Sequence, residues 1–260
     1  MENLDSVHNL KILNFQDQIS LSKKNILNEN KTAQHSINLS NYSPYPSQSI
    51  TSVGVMPVLI HDGFFEKTVY EGTNMDISIS IREGTGNVLV DTKIPTGVEF
   101  QNSARAAVKA SEKYLEVDLS DKDIIFSISA HNDSKLTSVD GHSAGAAMAV
   151  LLISELSGMN VQDDVVITGT IEDGNKVGKV GGIYEKAKAA GMSGAKLFLV
   201  PKNQDMTVIE SCQESIKGSI IYRTCQLETK PISPITEEQF GMKVIGVESI
   251  DQALNYLLEK

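Results

Sequence analysis

The sequence predicts an α+β domain in which mixed β-sheets are flanked by helices. From about residue 51 onward, segments rich in Val, Ile and Phe alternate with helical segments that carry an apolar face. Glycine-containing turns separate several of these segments. The chain has 260 residues, which is enough for one large domain with a sizeable core, and no internal repeat is present.

The elements are predicted in the following order. Strands are expected in VGVMPVLIH, FEKTVYEG, MDISISIREG and NVLVDTKI, followed by a helix from Val98 to Leu115 and the strand IIFSISA. An apolar helix from about Ala144 to Leu156 comes next, then strand DVVITGTI, the short strand VGKV, a second helix after Gly181-Gly182 and the buried strand KLFLVP. The last third predicts a helix from Asp205 to Ile216, strands IIYR and MKVIGV, and a helix from Ser249 to Leu258.

Residues 1–50 differ from the rest of the chain in composition. They are rich in Asn, Ser, Gln and Lys, and they end in the segment NLSNYSPYPSQS. Such a composition is typical of an extended or flexible arm. We therefore expect a polar arm over residues 1–50 and one domain over residues 51–260.

The overall charge and the cysteine content restrict the class of protein. A net charge of −10 argues against nucleic acid or an anionic membrane as a partner. The chain lacks a signal-peptide pattern and an apolar run of about 18 residues, so we expect a cytoplasmic protein. Cys212 and Cys225 form either reduced thiols or one local disulfide, and a cytoplasmic protein favours the reduced thiols.

Ser143 is a candidate nucleophile because of its place at the start of the apolar helix. Unpaired backbone N–H groups in a first helical turn can stabilise a developing oxyanion. The small residues Ala144 to Ala147 leave room for a substrate backbone. Serine is also a common helix cap, and this structural role explains Ser143 equally well when the segment is taken alone.

Lys186 is a candidate general base. On a helix it shares a face with Ile183, Ala189 and Ala190, whereas Lys188 points toward the polar side. Burial disfavours the charged ammonium and lowers the pKa of a lysine. A lysine on such a face can alternatively extend its amine to water along the apolar surface.

Read together, these segments resemble the proteolytic domain of the Lon proteases. The nucleophile motif Asp-Gly-Pro-Ser-Ala-Gly of that family corresponds to Asp140-Gly141-His142-Ser143-Ala144-Gly145. The lysine motif Gly-Gly-x-x-Glu-Lys corresponds to residues 181–186, a Thr-Gly pair to Thr168-Gly169, and Ile-Pro-x-x-Asn to the segment LFLVPKNQ. The segment from Gly86 to Leu115 resembles more narrowly a group of stand-alone archaeal Lon-like serine proteases that lack an ATPase.

The resemblance implies an ATP-independent serine endopeptidase that cleaves unfolded polypeptides or peptides by a Ser-Lys dyad. Ser143 and Lys186 would be the catalytic pair, and Thr168 would hold the lysine amine. Asp140, Gly141, His142 and Ala144 would support the oxyanion and the turn. It also implies a homo-oligomer, often a six-fold ring, and membrane association through a segment outside this sequence stays open, since relatives of the stand-alone type often carry one.

His142 departs from the family pattern, which has proline before the serine. Neighbouring helical residues point about 100° apart, so His142 is badly placed to act as the base for Ser143. We expect it at the rim of the site. The other histidines, His8, His35, His61 and His131, have no carboxylate partner that the sequence reveals.

No cofactor is expected. The nearest string to a phosphate-binding loop, GNKVGKV, has the wrong spacing and ends in valine, and no metal-binding motif is present. Two alternatives remain: a catalytically silent Lon-like assembly or binding module, and a small-molecule kinase of the galactokinase-like kind, for which VDGHSAGAA is a loose match. Labelling of Ser143 and binding of ATP would discriminate them.

Overall fold

A computed structural model describes residues 48–63, 65–130, 138–217 and 220–259. The predicted arm lies outside the described residues except for residues 48–50, which belong to the first strand. His8, His35 and His131 also lie outside them. Among the helices of the described ranges, none is long and apolar enough to cross a membrane.

The first part of the chain forms a four-stranded sheet. Its strands are β1 (Gln48–Asp62), β2 (Phe65–Glu83), β3 (Val88–Thr92) and β4 (Lys122–Ala130). They lie in the order β1-β2-β4-β3, with β3 parallel to β4 and the other pairs antiparallel. Strand β1 is therefore an edge strand in this sheet. The two segments FEKTVYEG and MDISISIREG, predicted as separate strands, join into the single strand β2.

The second part of the chain forms a three-stranded parallel sheet. Strand β8 (Leu197–Pro201) lies between β5 (Val165–Ile167) and β11 (Lys243–Val247). A small hairpin, β6 (Thr170–Glu172) and β7 (Lys176–Gly178), follows β5. The presence of parallel and antiparallel sheets together confirms the predicted α+β class.

In the described part of the chain, five α-helices pack against these sheets. They are α1 (Val98–Leu115), α2 (Gly145–Ser157), α3 (Ile183–Met192), α4 (Ile232–Phe240) and α5 (Ile250–Leu257). Helix α2 is buried from Gly145 to Ser154 because its residues are apolar or small on every side. It is surrounded by the main core, which includes residues of β2, β4, α1 and α5. A smaller core joins α3 to β8 and α4.

The segment after β8 is where the structure differs most from the sequence prediction. The helix predicted from Asp205 to Ile216 is wrong: Met206–Lys217 is strand β9, and it pairs with β10 (Ile220–Pro231) in a two-stranded antiparallel hairpin. β-branched residues in Thr207-Val208-Ile209 favour the extended backbone, and the period of two is visible once the pairing is known. Helix α4 was not predicted.

The hairpin also corrects the prediction for the two cysteines. Cys212 lies opposite Cys225 in the antiparallel register, and the two form a disulfide. The expectation of reduced thiols is therefore wrong for this structure. The physical reason is that the hairpin places both side chains on the same face, directly across from each other.

Candidate active site

Ser143 lies in a single 3₁₀ turn, His142–Ala144, that leads directly into α2. The turn begins after Gly141, whose backbone φ of 110° is rarely adopted by residues that carry a side chain. The backbone carbonyl of Ser143 accepts hydrogen bonds from Gly169 N at 2.9 Å and from Thr168 Oγ1 at 3.2 Å. The nucleophile candidate is thus held through its backbone, and its side chain is only partly buried.

Asp140 joins this turn to the start of α1. Its Oδ1 atom accepts hydrogen bonds from Phe100 N at 3.2 Å and from Gly141 N at 2.9 Å. The N-cap residue of α1 is Gly97, which has no side chain to cap the helix. The carboxylate of Asp140, from a distant part of the chain, accepts the Phe100 N–H in its place and thereby connects the turn to α1.

Ser103 on α1 makes a second connection to the turn. Its buried hydroxyl donates to the backbone carbonyl of His142 at 3.0 Å. A Cβ atom at Gly145 would lie 2.9 Å from this hydroxyl, so a larger residue there would push α1 away from the turn. The turn is therefore fixed against α1 from both of its ends.

Lys186 lies in the first half of α3, on the face that packs against the core. Its side chain is only 2% exposed. Burial lowers the pKa of Lys186 from 10.5 to about 8 because the charged amine loses its hydration. A substantial fraction of Lys186 is consequently neutral in mildly alkaline solution, as a general base must be.

Helix α3 is held in place by the two long strands of the first sheet. A Cβ atom at Gly72 on β2 would overlap the carbonyl oxygen of Glu185, so only glycine permits this approach. Asn74 Nδ2 donates to the carbonyl of Ala189 at 3.0 Å. Gly182, at the start of the helix with a φ of 65°, lies against Val55 on β1. The sheet thus determines where the amine of Lys186 lies.

Thr168 connects the lysine to the serine turn. It is fully buried at the end of β5, where its backbone N–H donates to Leu199 O at 3.0 Å. Its hydroxyl accepts a hydrogen bond from Lys186 Nζ at 3.3 Å and donates one to the carbonyl of Ser143 at 3.2 Å. One hydroxyl group therefore spans the interval between the two candidate catalytic residues.

Ser143 and Lys186 line the same two cavities. The smaller one lies between β1 and the serine turn and is lined also by Ser52, Val53, Gly54 and Val55. The larger one is an open cleft of about 780 Å³ with Lys67–Tyr70 of β2 and Lys179–Gly182 among its lining residues. Its size lies within the range of ligand-binding clefts.

A family profile described as the Lon protease (S16) C-terminal proteolytic domain matches residues 34–233, which is well over half of the chain. The chain belongs to this family.

Curated Lon proteases are similar over a comparable region. Lon protease 1 of Bacillus subtilis (strain 168) is 31% identical over 160 residues, covering 60% of this chain and 20% of its own length. Lon protease of Brevibacillus choshinensis is 29% identical over 156 residues, with 58% of this chain and 19% of its own length covered. Lon protease of Haemophilus influenzae is 33% identical over 132 residues, with 51% and 14% covered. This chain spans about a fifth or less of the length of these relatives.

His142 is one of the residues that line the cleft. Its side chain is exposed, and its Nδ1 atom lies 3.7 Å from Glu99 Oε2 in the first turn of α1. His61 lies near the end of β1, 3.3 Å from the Glu66 carboxylate. The Lys188 amine lies 4.9 Å from the centre of the Tyr184 ring, while Lys179 lines the cleft.

Several residues that shape this Lon-type site were not singled out by sequence reasoning. Ser103, Gly72 and Gln204 each contact a backbone group from another part of the chain. A sequence signal existed only for Gln204, which falls on the asparagine of the family motif Ile-Pro-x-x-Asn. The other two act through close approaches that appear only in the folded protein.

Proposed function

We propose that this protein is a serine endopeptidase that hydrolyses unfolded polypeptides by a Ser143–Lys186 dyad and without ATP. The observation that carries the proposal is the buried amine of Lys186, which is joined through the Thr168 hydroxyl to the backbone of Ser143. A lysine with a lowered pKa is one of the known ways to activate a serine. The family to which the chain belongs supports peptide hydrolysis as the reaction.

In the proposed acylation step, neutral Lys186 accepts the proton of the Ser143 hydroxyl while the Oγ atom attacks the peptide carbonyl carbon. The C–N bond then breaks, and the protonated lysine gives its proton to the leaving amine. An ester links Ser143 to the acyl part of the substrate. The same lysine then accepts a proton from water, which attacks the ester carbonyl carbon. The C–O bond to Ser143 breaks, and the lysine returns the proton to Oγ, so that the free serine and a carboxylic acid product form.

The oxyanion of the tetrahedral intermediate would be stabilised by backbone N–H groups of the serine turn. The N–H groups of Gly145 and Ala146 already donate to the carbonyl oxygens of His142 and Gly169. The backbone N–H groups proposed for the oxyanion are therefore those of the turn His142–Ala144, next to Gly141. One such donor can be worth about 3 kcal/mol in the transition state.

We infer that the substrate binds as an extended strand along β1. This strand is at the edge of its sheet, so its free backbone groups can pair with another chain. Its residues Ser52 to Val55 line the same cavity as Ser143 and Lys186. An unfolded polypeptide can adopt the required extended backbone, whereas a folded protein offers few such segments.

The proposal also covers the oligomeric state and the need for cofactors. The chain is proposed to act as a homo-oligomer, with the sites enclosed between copies, and six copies are one such arrangement. The chemistry described uses side chains and backbone groups alone. None of the proposed steps uses ATP.

The experiment that tests the proposal is degradation of casein, an unfolded protein, in the absence of ATP. The native chain should cleave it, and Ser143→Ala and Lys186→Ala should both abolish cleavage while circular dichroism shows an intact fold. Lys188→Ala is the matched control, since this lysine lies on the same helix and contacts Tyr184 outside the cleft. It should retain native activity.

Cleavage that survives in both Ser143→Ala and Lys186→Ala would overturn the dyad. An inert native chain, with Ser143 unreactive toward an acylating reagent, would favour the catalytically silent module instead. Activity that appears only when ATP is added would refute the ATP-independent part of the proposal.

A further inference from the structure

Gln204 makes an unusual pair of contacts at the entrance to the lysine helix. Its side-chain Nε2 donates to the carbonyl of Val180 at 2.8 Å, and its Oε1 accepts from the N–H of Val180 at 2.9 Å. One side-chain amide thus binds both backbone groups of a single residue, as a neighbouring strand would. The two residues are 24 positions apart in the chain.

Val180 belongs to the loop that precedes α3, and its partly buried side chain packs against the smaller core. It is followed by Gly181 and Gly182, which have no side chains, and Gly182 begins α3. The four loop residues Lys179–Gly182 all line the cleft that contains Ser143 and Lys186. The first helical hydrogen bond of α3 runs from Lys186 N to Gly182 O at 2.9 Å, so the loop leads directly to the lysine.

Gln204 is itself firmly placed. Its backbone N–H donates to Pro201 O at 3.0 Å in the turn after β8. The next residue, Asp205, accepts a hydrogen bond from Ile232 N at 2.9 Å, which closes the base of the β9–β10 hairpin. The amide therefore connects the turn after β8 to the loop that precedes α3.

We propose that Gln204 is a positioning residue for the dyad: its amide fixes the Lys179–Gly182 loop, which forms one wall of the substrate cleft and sets the start of the helix that carries Lys186. This inference rests on the proposed peptidase function. Gln204 acts through Val180 and does not itself contact the reacting groups. Its loss should allow the loop to move and water to reach the first turn of α3.

The test compares Gln204→Ala with Gln162→Ala, each in the full chain. Gln162 is the matched control because its Nε2 atom also holds a backbone carbonyl, that of Leu258, at 3.0 Å, away from the residues that line the cleft. We measure peptide cleavage, thermal unfolding, and the pH dependence of Ser143 acylation by a small fluorophosphonate. The last measurement uses a small reagent that reacts at Ser143, so it does not require a peptide to bind along β1.

For Gln204→Ala we expect kcat/KM for a peptide to fall about 10- to 100-fold, which is the usual effect of a small misplacement of catalytic groups. The rise of the acylation rate with pH should move to higher pH, because a better hydrated Lys186 keeps its proton longer. The other titratable groups that line the cleft keep their identity in this variant: Lys67, Tyr70, Asp140, His142, Lys179 and Glu185. Gln162→Ala should keep the native profile even if it lowers the unfolding temperature.

Gln204→Glu provides a test in a nearly isosteric side chain. The ionised carboxylate cannot donate to Val180 O, whereas the protonated acid restores one donor and one acceptor. The ratio of variant to native acylation rates should therefore rise as the pH falls. A ratio that does not change with pH, together with a native profile for Gln204→Ala, would overturn the inference while leaving the proposed function intact. A native chain that is neither active nor acylated would overturn both.

Discussion

At the scale of the residue, the proposed site depends on an amine kept out of water. Burial holds the pKa of Lys186 at about 8, below its ordinary value of 10.5. In the unfolded chain the amine stays protonated up to about pH 10.4. Below pH 8 the buried lysine is charged in the folded protein, so its burial lowers the free energy of unfolding by the full amount. This loss of stability becomes smaller as the pH rises from 8 to 10.5.

Lys186→Met should therefore stabilise the protein at neutral pH while abolishing activity. The difference between the two pKa values corresponds to about 3 kcal/mol in the free energy of unfolding at pH 7. This gain should shrink when urea unfolding is measured at pH 9 and largely vanish near pH 10.5. Lys188→Met serves as the control. An equal gain at every pH would show that the desolvated charge is not its cause.

Thr168→Val tests the connection between lysine and serine. Valine has nearly the same shape but can neither accept from Lys186 Nζ nor donate to Ser143 O. We expect kcat to fall roughly 10- to 100-fold with little change in KM, since hydrogen bonds to charged groups contribute about 1.5–3 kcal/mol. Thr236→Val, at a buried threonine that bonds to carbonyls near α4, is the matched control. Native kcat in Thr168→Val would contradict a role for the hydroxyl.

The sequence motifs single out the candidate catalytic residues but not the residues that position them. Ser143, Lys186 and Thr168 lie in motifs with fixed spacing, and the structure brings them together. Gly72 offers no such signal, because its need for a small side chain comes from a carbonyl on a helix more than 100 residues later. The role of Asp140 as a cap for α1 likewise depends on Gly97 lying beside it in the fold.

At the scale of the element, the contact between β2 and α3 should be sensitive to a single methyl group. Gly72→Ala would overlap Glu185 O and press on Ala189 Cβ, which lies 2.8 Å from the position that the added methyl would take, so α3 must shift. We expect peptide cleavage to fall about 100-fold, as for other displacements of about 1 Å. Gly246→Ala on β11, where the nearest atom lies at an ordinary 3.4 Å, should retain activity. Equal activity in both variants would show that the dyad tolerates movement of α3.

The β9–β10 hairpin gives a second prediction at this scale. Most of its side chains are exposed, and two-stranded sheets are only marginally stable in water. A disulfide closing a loop of this length contributes about 3 kcal/mol. Replacing both Cys212 and Cys225 by serine should therefore increase local opening roughly 100-fold, seen as faster tryptic cleavage after Arg223. An unchanged rate of cleavage would show that the strands hold together without the disulfide.

The same hairpin shows why the helix predicted from Asp205 to Ile216 is wrong. The segment Met206–Lys217 mixes β-branched and helix-favouring residues such as Glu210 and Glu214, so its periodicity alone is ambiguous. Its partner strand resolves that ambiguity. By contrast, the helix from Val98 to Leu115 has a strong apolar face and was predicted with the bounds that the structure shows.

At the scale of the whole molecule, the alternation of strands and helices was sufficient to predict the α+β class but not the pairing of strands. The order β11-β8-β5 joins strands from distant parts of the chain, and no local pattern specifies which strand lies in the centre. This sheet separates the two core clusters, since Ile167 and Leu199 belong to the main core while the adjacent Val166 and Phe198 belong to the smaller one.

For the whole molecule we also predict a homo-oligomer. We expect light scattering to give a mass that is a multiple of the 28.2 kDa of one chain, since the proposed enclosure of the sites needs several copies. A mass of one chain at concentrations where casein is degraded would contradict the oligomer and leave the dyad untouched.

The proposed function depends on activation of Ser143 by the buried, neutral amine of Lys186. This activation can be tested by measuring the rate of Ser143 acylation as a function of pH, followed by mass spectrometry of the intact protein. The rate should rise with pH to a half-maximum near the pKa of about 8, and it should be lost in Lys186→Ala but kept in Lys188→Ala. Acylation that persists in Lys186→Ala with the same pH dependence would contradict activation of Ser143 by Lys186.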